Sequence, residues 1–168
     1  MFDIFSGIPA LPVTIIIVQH MPFSTTPRFA KRLSQLCRMN VIIPSDEELI
    51  KPESLYIAPG DNHLIIKDNQ KILLTSTEKV NFVRPSIDVT MLSLRQDSRY
   101  QYTGIILSGM GCDGAEGLAF MKNLGAKTIV QDPETCIIRS MPESAIRLSN
   151  IDKILHPLEI RSFLLSLK

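Results

Sequence analysis

YTGIILSGMGCDGAEGLAF, residues 102–120, is the stretch that decides the fold. The apolar run at residues 105–107 predicts a buried strand, three glycines then punctuate a tight turn, and an apolar pattern beginning at Ala115 opens an amphipathic helix. In α/β sheets, ligands and catalytic groups collect in the crevice beyond the carboxyl ends of the strands. The pattern therefore places Asp113 in a position where chemistry is expected.

The same glycines also match a dinucleotide-binding fingerprint. Gly109, Gly111 and Gly114 spell G-x-G-x-x-G after a strand, and Asp132 lies about twenty residues further on. A pyrophosphate needs bare backbone N–H groups, whereas Asp113 puts a carboxylate directly before the third glycine. Two like charges about 4 Å apart cost on the order of 4 kcal/mol at an effective dielectric constant near 20. A nucleotide-binding α/β domain is therefore the weaker alternative, and Asp113 fits better as an orienting acid or a helix N-cap.

Composition limits the classes of protein that need to be considered. A chain of 168 residues suits a single domain with a substantial core. The net charge of +1 favours neither nucleic acid nor an anionic membrane as a partner, and no apolar run approaches the roughly 20 residues that cross a bilayer. Cys37, Cys112 and Cys136 are odd in number and form no C-x-x-C, so neither a disulfide framework nor a zinc knuckle is expected. A cytoplasmic location is the default expectation.

Strand-like runs alternate with helix-like segments along the chain. An unbroken β-branched and apolar run at residues 13–18 predicts a strand buried on both faces of a parallel sheet. Further strands are expected at residues 41–43, 105–107, 128–130, 136–138 and 153–155. Residues 63–66 and 71–74 flank a turn, which predicts a β-hairpin within an insertion around residues 55–74. The expected fold is α/β: a mostly parallel sheet flanked by helices on both faces, in a Rossmann-like three-layer arrangement.

Two polar residues follow strands at what we expect to be the same edge of the sheet. His20 follows the run at residues 13–18, and Asp113 follows the run at residues 105–107. Since neighbouring strands lie about 4.8 Å apart, the two side chains are predicted to meet. A histidine oriented by a buried carboxylate is the base–orienter half of a nucleophilic triad. His20 and Asp113 are therefore candidate catalytic residues, although a histidine beside a Met-Pro turn can also be purely structural.

Other polar residues suggest weaker alternatives. His20, His63, Asp61 and Asp113 could in principle gather around a metal ion, but no H-x-x-H, H-x-x-x-H or D-x-D spacing supports such a site. We therefore expect no metal site. Arg84, directly before a proline, could position an anionic or polar group of a substrate, although many such arginines only cap a helix or form a salt bridge.

Five motifs, taken together, resemble the CheB-type protein-glutamate methylesterase domains of chemotaxis. They occur in the family's order and cover nearly the whole chain: QHMP at residues 19–22, YIAPGDNH at 56–63, RPSID at 84–88, SGMGCDG at 108–114 and MP at 141–142. Five ordered motifs are far more specific than a lone glycine fingerprint. The resemblance implies one catalytic domain over residues 1–168, a parallel α/β fold and hydrolysis of glutamate methyl esters on chemoreceptors.

The resemblance also implies roles for individual residues. His20 maps onto the family's general base, Asp113 onto its orienting acid, and the backbone N–H of Met110 onto an oxyanion donor. Arg84 remains a candidate for binding the substrate. No cofactor or metal is implied. The implied partners are the cytoplasmic regions of methylated chemoreceptors, and a receiver or methyltransferase domain, fused or separate; neither nucleic acid binding nor membrane insertion is implied.

One motif of the family is absent from these 168 residues. Its nucleophilic serine lies in a Gly-Ala-Ser-x-Gly-Gly turn after a first strand, and no serine of this chain matches that turn. We expect an N-terminally truncated domain that is inactive, or nearly so, as given. A non-catalytic receptor-binding or regulatory module of the same fold is the second reading. Strands that flank a missing strand expose unpaired N–H and C=O groups, so we also expect association through that edge or a need for a complementing segment.

Overall fold

A computed structural model describes residues 1–167 of the chain. Its strands are β1 (Ile15–Ile17), β2 (Asn40–Ile42), β3 (Glu48–Leu49), β4 (Ser54–Ile57), β5 (His63–Lys67), β6 (Lys71–Thr75), β7 (Thr103–Ile106), β8 (Lys127–Gln131) and β9 (Lys153–Leu155). Its helices are α1 (Phe2–Phe5), α2 (Thr26–Leu36), α3 (Ile87–Leu92), α4 (Ala115–Asn123), α5 (Ser140–Leu148) and α6 (Pro157–Leu165). Within these residues no helix is both long enough and apolar enough to cross a bilayer.

The middle layer consists of two three-stranded sheets in which all strands are parallel. One has the order β1-β4-β2 and the other β7-β8-β9. The central strand of each sheet is the most buried, whereas β1 and β7 are only partly buried. Continuous burial along β4 and β8 is what coverage of both faces produces. The predicted α/β architecture with parallel strands is therefore confirmed.

Helices cover both faces of this layer because side chains alternate along each strand. Leu55 and Ile129 point to one face, where they pack with residues of α1, α2 and α6. Tyr56 points to the other face and packs against α4 and the hairpin. Val130 also points there and packs against α4 and α5. The result is a helix–sheet–helix sandwich, which leaves the carboxyl ends of the strands open at one edge.

The hairpin insertion is real but shorter than predicted. β5 and β6 pair antiparallel from His63–Thr75 to Lys67–Lys71, and β3 adds a short third strand. Residues Ser54–Ile57, which the prediction included in the insertion, form β4 at the centre of the first parallel sheet. Four consecutive buried residues suit a central strand better than an exposed hairpin, and this explains the difference.

The short strand predicted at residues 136–138 is wrong. This segment is an irregular loop in which Ile137 is 98% exposed. Its one anchor to the sheet is a set of hydrogen bonds around residue 138: Gly109 N–H and Ser108 Oγ donate to the Ile138 carbonyl, and Ile138 N–H donates to Ser108 Oγ. The apolar residues therefore form a loop beside the 109–114 turn and do not extend the sheet.

The two parallel sheets share a core but no hydrogen bonds. Ile17 of β1 and Ile129 of β8 belong to one apolar cluster, against which Ile105 of β7 also packs. Yet in residues 1–167 no backbone hydrogen bond joins β1 to β7. Each of these strands pairs on one side only, so each has a free hydrogen-bonding edge. Free edges are what a missing strand would leave, and the missing strand itself stays a prediction.

Candidate active site

His20 and Asp113 lie in direct contact at the open edge of the sheets. His20 Nε2 lies 2.6 Å from Asp113 Oδ2, although the residues are 93 positions apart in the chain. The meeting of these side chains is therefore confirmed. The contact nevertheless arises differently from what the prediction assumed, because β1 and β7 are not hydrogen-bonded neighbours. Instead, the pair joins the ends of two separate sheets.

The Asp113 carboxylate accepts five hydrogen bonds. Oδ2 accepts from His20 and from the Ile87 N–H at 2.7 Å; Oδ1 accepts from the Ser86 hydroxyl at 2.7 Å, the Asp88 N–H at 3.2 Å and the Asn81 amide at 3.3 Å. Burial acts to raise the pKa of Asp113, but the hydrogen bonds led by His20 and Ser86 outweigh it and hold the pKa at about 2. Asp113 is thus an anion at neutral pH, even though it is only 2% exposed.

An ionised Asp113 determines which nitrogen of His20 carries the proton. A carboxylate can only accept, so Nε2 must be the protonated nitrogen. Nδ1 then keeps its lone pair, and no other described residue hydrogen-bonds to it. The His20 side chain is 23% exposed. The arrangement therefore offers an accessible, oriented base with a buried anion behind it.

Asp113 caps a different helix from the one that the sequence suggested. The N-cap of α4 is Gly114, whose φ of 94° lies in the left-handed region, and no side chain caps that helix. The Asp113 carboxylate instead accepts from the N–H groups of Ile87 and Asp88 in the first turn of α3. Unsatisfied N–H groups at a helix start favour an anion, which adds to the stability of the ionised form.

Ser86, Asp88 and Asn81 complete the environment of the acid, and sequence reasoning did not assign them this role. Ser86 is the N-cap of α3 and donates to Asp113. Asp88 Oδ1 accepts from the Gly117 N–H at 2.7 Å, and its Oδ2 accepts from the Asn81 amide at 2.7 Å. Burial raises the pKa of Asp88, and the nearby Asp113 charge raises it further. The position of Ser86 and Asp88 within the RPSID motif was the only available signal.

His63, which the sequence offered as a possible metal ligand, has a structural role. His63 is fully buried; its Nδ1 accepts from the Ser86 N–H, and its Nε2 lies 2.9 Å from the Glu78 carbonyl, to which it donates. Asp61 is exposed, and its Oδ2 accepts from the Phe23 N–H. In the described part of the chain, no three His, Cys, Asp or Glu residues are grouped to hold a metal ion.

Two backbone donors of the 109–114 turn are occupied, and within the described chain the donor between them is free. Gly109 N–H donates to the Ile138 carbonyl, and Gly111 N–H donates to Ser140 Oγ. Among residues 1–167, no acceptor pairs with the Met110 N–H between them. Because two glycine N–H groups are already used, the turn is not the bare anion cradle that a dinucleotide requires. The free Met110 N–H is, however, available as an oxyanion donor.

Arg84 lies close to the site, but its guanidinium faces a neighbouring loop. Its Nη1 donates to the carbonyl oxygens of Ser76 and Thr77. These bonds hold the segment after β6 against the start of α3. A role in substrate binding stays a prediction for this residue.

Large apolar side chains are exposed on the loops joined to the turn that carries Asp113. Phe82, Met110 and Ile137 are 94%, 73% and 98% exposed. Each belongs to a loop that hydrogen-bonds, directly or through a neighbouring residue, to the turn that carries Asp113. Clusters of exposed apolar groups at a site are characteristic of surfaces that contact another protein.

Gly60 sets the position of the loop that follows His20. A Cβ at residue 60 would collide with the backbone of Met21, Pro22 and Phe23, and the Gly60 N–H donates to Thr26 Oγ1. The loop that carries the end of the QHMP motif therefore packs directly against a bare backbone. Only glycine allows so close an approach.

Gly60→Ala should lower the free energy of unfolding by about 1–3 kcal/mol, because backbone cannot move aside as a flexible side chain can. Chemical denaturation measures this loss. Gly125→Ala is the matched control: a Cβ there meets nothing within 4 Å, and only the positive φ of 83° opposes it. We expect about 1 kcal/mol for this control. Equal losses for both variants would contradict the close-approach explanation.

Comparisons with known proteins give one consistent family. The profile described as CheB methylesterase matches residues 1–164. A protein-glutamate methylesterase/protein-glutamine glutaminase from Syntrophus aciditrophicus is 36% identical over 157 residues, covering 92% of this chain and 46% of that protein. A protein of the same description from Bordetella parapertussis is 40% identical over 157 residues, covering 91% and 45% respectively.

A solved structure agrees with these relatives. The crystal structure of the Thermotoga maritima CheB methylesterase catalytic domain superposes with a TM-score of 0.89 at 34% identity, covering 98% of this chain and 90% of that one. The chain spans a little under half the length of the two relatives described above. The similarity therefore extends over a catalytic domain of larger proteins.

Proposed function

Since the chain belongs to the CheB methylesterase family, we propose that it is the base-and-acid portion of a protein-glutamate methylesterase. The single observation that carries this proposal is the His20–Asp113 contact of 2.6 Å at the open edge of the sheets. An oriented imidazole with one free nitrogen is the general base that ester hydrolysis needs. The proposed substrates are methylated glutamates on the cytoplasmic regions of chemoreceptors, which also implies a cytoplasmic location.

The nucleophile would come from a segment outside these 168 residues. The Ser86 hydroxyl is bound to Asp113, and the Ser108 hydroxyl is bound to the Ile138 carbonyl, so neither faces His20. Ser6 is the C-cap of α1 and does not lie in a strand–turn elbow. The free edges of β1 and β7 favour a strand inserted between them, since such a strand would pair on both sides and end beside His20.

In the proposed reaction, the serine oxygen attacks the ester carbonyl while His20 Nδ1 takes the serine proton. The resulting imidazolium is stabilised by ionised Asp113. The Met110 N–H would donate to the oxygen that becomes negative in the tetrahedral intermediate. His20 then gives its proton to the departing methoxide, which leaves as methanol, and water repeats the cycle on the acyl-serine. The named glutaminase activity of the relatives would follow the same steps with ammonia as the leaving group.

The exposed apolar residues around the pair support a protein substrate. Phe82, Met110 and Ile137 are exposed on loops that bond to, or form, the turn carrying Asp113. They offer contact area to a segment much larger than one glutamate side chain. A non-catalytic module that binds receptors through this surface is the second candidate function. A receiver or methyltransferase domain, fused or separate, would be a further partner.

Methanol release from a methylated receptor fragment tests the proposal. The 168-residue chain is compared with a serine-extended chain, in which an upstream segment carrying the strand and the Gly-Ala-Ser-x-Gly-Gly turn is added. We expect hydrolysis only by the serine-extended chain. Binding of the receptor fragment without methanol release by either chain would favour the non-catalytic module.

A further inference from the structure

Residues 80–83 form a strained turn that directs the Asn81 amide toward Asp113. Val80 and Val83 exchange two backbone hydrogen bonds of 3.2 and 3.0 Å, and the residues between them, Asn81 and Phe82, have φ values of 52° and 65°. Two consecutive positive φ values define the primed type of two-residue turn, for which asparagine is favoured and phenylalanine is not. Such strain persists only where the surroundings impose it, and it concentrates at functional sites.

The Asn81 amide lies between two buried carboxylates. Its Nδ2 donates to Asp88 Oδ2 at 2.7 Å and to Asp113 Oδ1 at 3.3 Å. Asp88 and Asp113 are each 2% exposed. Like charges this close disfavour each other's ionised form. One NH₂ group bonded to both carboxylates offsets that repulsion, because each of its hydrogens can serve one anion.

The remaining groups around the two carboxylates cannot replace this amide. His20, the Ser86 hydroxyl and the α3 backbone serve Asp113, while the Gly117 N–H serves Asp88. Glu116, Cys112 and Arg147 line the pocket that adjoins Asn81 and Asp88. None of these groups hydrogen-bonds to both acids.

We propose that Asn81 is a positioning residue of the hydrolase: its amide, bonded to Asp88 and Asp113 together, adds to the stability of the ionised Asp113 carboxylate and directs it at His20. The catalytic role of Asn81 rests on the proposed function, whereas its effect on the ionisation of Asp113 does not. The pKa of Asp88 is raised by burial and by the nearby Asp113 charge, which agrees with two carboxylates close enough to repel each other.

Asn81→Gly and Asn81→Asp test the proposal, since both residues tolerate a positive φ and preserve the turn. Carboxyl carbon NMR on the 168-residue chain follows the titration of Asp88 and Asp113. We expect the Asp113 midpoint to rise by about one pH unit in Asn81→Gly, and further in Asn81→Asp, where a third carboxylate replaces the amide. In the serine-extended chain, kcat should fall about tenfold in Asn81→Gly with KM unchanged, because losing one hydrogen bond to a charged group leaves Asp113 less firmly directed at His20.

Asn69 supplies the matched control. It also has a positive φ of 57° and a buried amide, but that amide donates to the Arg95 carbonyl, away from the acids. Asn69→Gly and Asn69→Asp should leave the titrations and kcat unchanged. Unshifted titrations in both Asn81 variants would overturn the proposal while leaving the proposed function intact. A serine-extended chain that is inactive with Asn81 present would overturn the proposed function, and the titrations alone would then decide the role of Asn81.

Discussion

Replacing His20 by glutamine should reduce methanol release by the serine-extended chain about a millionfold, because removal of the base from a serine triad costs about as much as removal of the whole triad. Glutamine keeps an amide that can bond to Asp113, but it cannot take a proton from serine at neutral pH. The small activity that remains would come from substrate binding and from the Met110 N–H. Single-turnover hydrolysis of a methylated receptor fragment measures the loss.

His156 provides a histidine control at a distance from the site. It is the N-cap of α6, where its side chain accepts from the Leu158 N–H. His156→Asn keeps a capping side chain, so both folding and hydrolysis should be preserved. If His20→Gln retained more than about one hundredth of the activity, a loss far smaller than removal of a triad base causes, His20 would not be the base.

Asp113→Asn should reduce hydrolysis about ten-thousandfold, as the equivalent substitution does in serine proteases. All five partners of Asp113 donate to it. An asparagine amide has only one accepting atom, so its NH₂ must face either Ile87 and His20 or Ser86, Asp88 and Asn81. In the first orientation it favours the wrong tautomer of His20; in the second it leaves the start of α3 unsatisfied. Steady-state kinetics should show the loss in kcat.

The free energy of unfolding at acid pH provides a second measurement of the role of Asp113. Its pKa is about 2 in the folded chain and near 3.9 when unfolded, so the folded state favours the ionised form. The resulting stabilisation is present above about pH 4 and is lost as the pH falls through 2. It amounts to about 2 kcal/mol. Asp113→Asn should lack this component when unfolding is measured from pH 5 to pH 2; an unchanged curve would contradict the assignment.

Local sequence patterns were sufficient to predict most of the framework. The unbroken apolar runs before His20 and Asp113 identified β1 and β7, and the shared direction of parallel strands predicted that the two side chains would meet. The same reasoning failed at residues 136–138, because an apolar triplet can also be an exposed loop pinned by Ser108. It also assigned Leu55 to an insertion, since a central strand and a hairpin strand are equally short.

The surroundings of Asp113 could not be predicted in this way. Asp113 looked like a cap for the helix that follows it, yet the start of α3 is its real partner. That contact joins segments 26 residues apart and depends on how α3 packs against α4. Asn81 is still harder to find, because its inward direction requires Phe82 to adopt a conformation that phenylalanine disfavours. Tertiary packing overrides local preference at both places.

The proposed base and its acid follow strands of two separate sheets. His20 follows β1 of one three-stranded sheet and Asp113 follows β7 of the other, and among residues 1–167 no backbone hydrogen-bond ladder joins the two sheets. The geometry of the pair therefore depends on how firmly the apolar cluster that includes Ile17 and Ile129 holds the two sheets together. A regulator would not need to block the reacting atoms. Moving the two sheets apart by about 1 Å would break the His20–Asp113 hydrogen bond and stop hydrolysis.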